Sequence, residues 1–135
     1  MIVPNPPYAL APTAFRFPAL AQLAGRTPLG GQREVALATY VAARLAHDAL
    51  PERGLTDAIR AERVLGAKAW LSNLALPASV RPALVRLVEA TGVGLGQTTE
   101  ALRGVIAVTA TLLDSKAKIE LDQLVAALSL HDPQR

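Results

Sequence analysis

The chain contains no cysteine, so thiol catalysis, thiolate metal sites and disulfide bridging are all closed to it. Aromatic residues are scarce, with one Trp, two Tyr and two Phe among 135 residues, and there is a single Met. The two histidines, His47 and His131, lie far apart and have no partner at ligand spacing. Protein metal sites need three or four convergent ligands, so neither a metal nor any other cofactor is expected. The longest strongly apolar helical stretch, residues 104–113, is closed by Arg103 and Asp114. That is far below the ~20 residues a membrane span requires. A secretory leader is not expected either. The first charged side chain is Arg16, and prolines interrupt what would be the apolar region. A cytoplasmic location is the expectation that remains.

Charge of either sign is also thin. The formal net charge is +3, and no block of like charge stands out, which leaves only a weak electrostatic case for nucleic acid. Eleven arginines against three lysines suit bidentate recognition of phosphate or carboxylate, and follow equally from GC-rich coding. No pair of carboxylates is spaced for acid–base work. Glu120 and Asp122 point different ways on a helix, and Asp57 and Glu62 sit among arginines that account for them as salt bridges. The four serines, Ser72, Ser79, Ser115 and Ser129, have no nucleophile-elbow context. No catalytic residue is therefore assigned, and the chain is not expected to be an enzyme.

What the chain does have is a division after residue 32. Residues 1–32 hold six of the ten prolines and three of the five aromatics, Tyr8, Phe15 and Phe17, with two arginines and no acid. Proline removes a backbone donor and turns the residue before it away from helix, so this part reads as extended, with a short turn of helix allowed over Ala19–Ala24 after Pro18, which suits a first helical position. Too apolar for a solvated tail, the arm is expected to lie on its own body or on a partner's. Its aromatics would fill pockets on whichever surface receives it.

Residues 33–135 read as a helical domain. One helix is expected over 33–50, where Leu37, Val41 and Leu45 recur every four residues. A second should run from a cap at Thr56 or Asp57 to Leu76, and a third should follow Ser79 with Pro82 in its first turn. The segment from Thr91 to Thr99 holds three glycines. It lacks both the preceding strand and the lysine of a phosphate-binding loop, and reads as a hinge. The last helix is expected to run unbroken over 98–130, roughly 50 Å at 1.5 Å per residue. Its seam of Leu102, Ile106, Ala110, Leu113, Ala117, Leu121, Leu124 and Leu128 steps by three or four, and its first half should form the buried spine. The fold class is all-α: a four-helix bundle-like domain with a long C-terminal helix, preceded by the extended Pro-rich arm.

Arg60, Arg63 and Trp70 stand out in the body, because helical spacing puts them on or next to one strip. Arginine beside the only tryptophan is a common interface anchor. Equally, Trp70 is the one large side chain available to fill a core otherwise built from small residues. The expected function is non-enzymatic protein–protein interaction or assembly, with a protein partner or a second copy of the chain, through Tyr8, Phe15, Phe17, Arg60, Arg63 and Trp70. The alternative is a nucleic-acid-binding or regulatory module, which needs Arg60, Arg63, Arg81 and Arg86 on one surface. A small-ligand pocket between helices ranks third, since convergent polar residues are missing.

Overall fold

In a computed structural model, residues 17–26, 32–51 and 54–131 are described. Among these residues the chain is all-helical, with six helices: α1 Pro18–Arg26, α2 Gln32–Asp48, α3 Asp57–Leu71, α4 Arg81–Ala90, α5 Leu95–Val108 and α6 Ser115–Leu130. No described residue is in a strand.

The central element is α2. From Val35 to Ala43 every side chain is buried, and Leu45 and Ala46 continue the run. A helix that is apolar on all sides must be covered on all sides. The other five helices supply that cover, since α1, α3, α4, α5 and α6 all pack on α2. Its small residues, Ala36, Ala38, Ala42, Ala43 and Ala46, allow the close approach that so many neighbours require. The spine is therefore α2, in place of the first half of the last helix.

The C-terminal helix is not continuous. It stops at Val108 and restarts at Ser115, because residues 109–114 supply both an end and a beginning. The buried Thr109 hydroxyl donates to the Val105 carbonyl at 2.7 Å, a back-bond that competes with helix continuation. Asp114 then accepts from the Ala117 backbone N–H at 2.9 Å and caps α6. Apolar burial resumes across the break, with Leu102, Val105, Leu113, Ala117 and Leu121 all buried, whereas Ile106 of the expected seam is half-buried and Ala110 is exposed. Hydrophobic spacing alone hides the corner. The second helix likewise ends at Leu71, short of the expected Leu76.

Two side chains cap helices from a distance, and a third holds the segment after α3. Phe17 precedes α1 and has no side-chain acceptor, so the first N–H groups of that helix need one from elsewhere. Glu120 of α6 supplies it, accepting from the Ala19 N–H at 2.8 Å and the Leu20 N–H at 3.0 Å. Beyond the end of α3, the Arg81 guanidinium donates to the Leu71 carbonyl at 2.6 Å and to the Leu74 carbonyl. The buried Glu34 of α2 accepts from the Ala75 N–H. These contacts tie α1 to α6, α2 to the segment after α3, and that segment to α4.

Candidate interaction surface

Tyr8 and Phe15 lie outside the described residues. Phe17 is placed on its own chain: it is 3% exposed and packs edge-on against Tyr40 and His47 of α2, with ring centroids 6.4 and 6.3 Å away. Behind it, α1 buries Leu20, Leu23 and Ala24 against α2 and α6. The short turn that the sequence allows over Ala19–Ala24 is thus a full helix, Pro18–Arg26, built into the core. One physical reason is that Pro18 occupies the first helical position, where a missing N–H costs nothing.

Trp70 is 5% exposed and belongs to the core with Ala67 and Leu71. Arg63 reaches from α3 to the buried Asp48 at the end of α2, with N–O 3.0 Å. Arg60 lies 3.5 Å from Asp57 on its own helix. The strip read from spacing is therefore divided. Its tryptophan fills volume, and its arginines pair with this chain's own acids. Arg81 is held by the carbonyls after α3, while Arg86 lines a groove with Glu89 and Glu100. The four arginines named for phosphate contact are thus tied to, or set beside, acids and carbonyls of their own chain.

Several other candidates can be placed. The hydroxyls of Thr98 and Thr99 are turned back to the Gly94 and Leu95 carbonyls at 2.7 and 2.8 Å, and α5 already starts at Leu95. Among the described residues no group of three or more His, Asp or Glu could hold a metal. No helix among them is long and apolar enough to cross a membrane.

The feature that residue-by-residue reading missed is the outer face of α3. At 100° per residue, Ala58, Ala61, Leu65 and Ala69 lie on one stripe opposite the buried Ala67, Trp70 and Leu71. All four are exposed, Leu65 by 68%. Surface helices normally turn charge to that side. Beside the stripe, Val93 in the turn between α4 and α5 is 66% exposed. Together with Ala61, Val64 and Leu65 it lines an open groove of about 390 Å³. The groove is closed on one flank by the Asp57–Arg60 pair and by Glu89, which holds Lys68 at 2.8 Å. The signal was the spacing of Ala58, Ala61, Leu65 and Ala69 itself, in a helix that buries only Ala67, Trp70 and Leu71. No family model, curated protein or solved structure matches the chain.

Proposed function

We propose that the chain is a non-enzymatic protein–protein interaction or assembly protein. It presents a bundle-like helical body whose N-terminal residues dock on a neighbouring subunit or partner. The observation that carries this reading is the apolar stripe of Ala58, Ala61, Leu65 and Ala69 on the outer face of α3, beside Val93. An apolar stripe left uncovered among the described residues is the kind of surface that protein partners occupy. The arm in this reading is shorter than the composition suggested. Phe17 and α1 anchor it, so residues 1–16, with Tyr8 and Phe15, are what remain to reach outward.

The test compares the full chain with one starting at Phe17, by light scattering over a concentration series and by thermal unfolding. Loss of the arm is expected to raise the concentration needed for assembly at least tenfold while leaving the melting temperature unchanged. Superimposable mass–concentration curves would overturn the docking role of the arm. A lower melting temperature with no change in mass would make residues 1–16 a lid on their own body instead.

A further inference from the structure

We propose that the corner between α5 and α6 is a hinge, and that the chain pairs by straightening it and exchanging α6 with a second copy. This rests on the interaction reading above and names both the neighbour and the element exchanged. The corner contains none of the usual helix breakers. Neither proline nor glycine stands between Val105 and Asp132, and no described non-glycine residue has a positive φ. A helix-type bond from the Leu113 N–H to the Thr109 carbonyl, 3.1 Å, is already in place. The departures from helix are at Thr109, with φ −102° and ψ 6°, and at Asp114, with φ −73° and ψ 169°. Asp114 is held extended by its role as the cap of α6.

The seam indicates what a straight form would gain. Leu102, Leu113, Ala117, Leu121, Leu124 and Leu128 are buried in the bent chain. The two seam positions left out are Ile106, half-buried, and Ala110, exposed, on the α5 side of the corner. In one continuous helix all of these fall within an arc of about 100°, edged by Arg103 and Glu120. Straightening therefore sets Ile106 and Ala110 into an unbroken apolar stripe. Two such helices passing each other at a two-fold axis cover those positions mutually.

The occupant follows from what α6 leaves behind. Its buried face, Ala117, Leu121, Leu124 and Leu128, belongs to a helix that packs on α1, α2 and α5. Swung out, it exposes that face, and it takes the Glu120 carboxylate away from the Ala19 and Leu20 N–H groups. The α6 of a second copy fits the vacated place without change and brings its own Glu120 to the same two donors. Reciprocal exchange restores every contact of α6 and alters only the corner, which is the low-cost route to a closed pair.

Two substitutions at the corner push it in opposite directions. Ser115→Pro suits the bent form, because proline is favoured at a first helical position and demands the extended backbone that Asp114 already has. Inside a continuous helix the same proline removes a bond and clashes with the carbonyl four residues earlier. Asp114→Ala removes the cap that only the bent form uses and adds a strong helix former. Sedimentation of the full chain and both variants, over a concentration series, reads the outcome. The parent is expected to reach twice the single-chain mass, and Asp114→Ala to do so at concentrations at least tenfold lower. Ser115→Pro is expected to stay single at those concentrations, with a melting temperature no lower than the parent's.

A second readout reports which copy supplies α6. Gln22 of α1 and Ile119 of α6 line one groove, and the chain has no cysteine of its own. When Gln22→Cys and Ile119→Cys chains are mixed, exchange sets one cysteine beside the other. Disulfide-linked pairs of one chain each should form at least tenfold more than when both chains also carry Ser115→Pro. The inference is overturned by a single-chain mass for the parent and Asp114→Ala at every concentration, by undiminished pairing in Ser115→Pro, or by equal linking in the two mixtures. Pairing that persists in Ser115→Pro leaves the interaction reading standing, so the two failures are distinct.

Discussion

Replacing Phe17 with alanine empties the space beside Tyr40 and His47 at the start of α1. Truncating a buried Phe costs about 3–5 kcal/mol. Phe17→Ala should therefore lower the denaturant midpoint sharply, whereas a residue reserved for a partner would leave it unchanged. Glu120 is the complementary case. Its carboxylate takes the first two free N–H groups of α1, so Glu120→Ala should cost about 0.5–2 kcal/mol, the range measured for lost N-caps. Hydrogen exchange at Ala19 and Leu20 should rise in that variant ahead of the other α1 amides. The two residues differ in legibility. That Phe17 would be buried somewhere follows from its apolarity. That Glu120 would cap a helix a hundred residues earlier follows from nothing local, because the bond exists only after α6 has packed on α1.

At the scale of elements, apolar periodicity located α2, α3 and α4 but read α5 and α6 as one helix, and cap chemistry set several of the ends. Thr56 accepts from the Ile59 N–H and begins α3, and Pro82 lies in the first turn of α4, both as the residue types indicate. The misplaced boundary, the missing break after Val108, arose because the leucine seam continues in register through the corner. There the back-bond of Thr109 and the cap of Asp114 outweigh the seam. The outer face of α3 escaped for a related reason. Periodicity reports which positions are apolar, and the position of α2 decides which of them are covered. Gly66 tests how free that region of α3 is within a single chain. Nothing lies within 4 Å of a Cβ built there, and its φ is not positive. Gly66→Ala should therefore stabilise the fold by about 0.5–1 kcal/mol through reduced backbone entropy, read as a raised melting temperature.

For the whole molecule, the composition boundary at residue 32 and the structural one do not coincide. Residues 18–26 carry the composition of the arm and the burial of the core, so a cut after residue 31 would remove Phe17, Leu20, Leu23 and Ala24 together. A cut before Phe17 separates arm from body without that damage. The same view explains why the arginines were poor guides to function. Arg63 and Arg81 bridge the end of α2 and the end of α3 to their neighbours, which makes them struts of the fold. Among the described residues, the large apolar side chains left exposed include Leu65 on α3 and Val93 beside it, next to the Asp57–Arg60 and Lys68–Glu89 pairs. The proposed assembly therefore requires that face to be covered when it forms. Amide hydrogen exchange of the full chain, compared at low and high protein concentration, measures this directly. Added protection over residues 58–69 and at Val93, with α6 unchanged, is the predicted result. Identical exchange across α3 at both concentrations would contradict it.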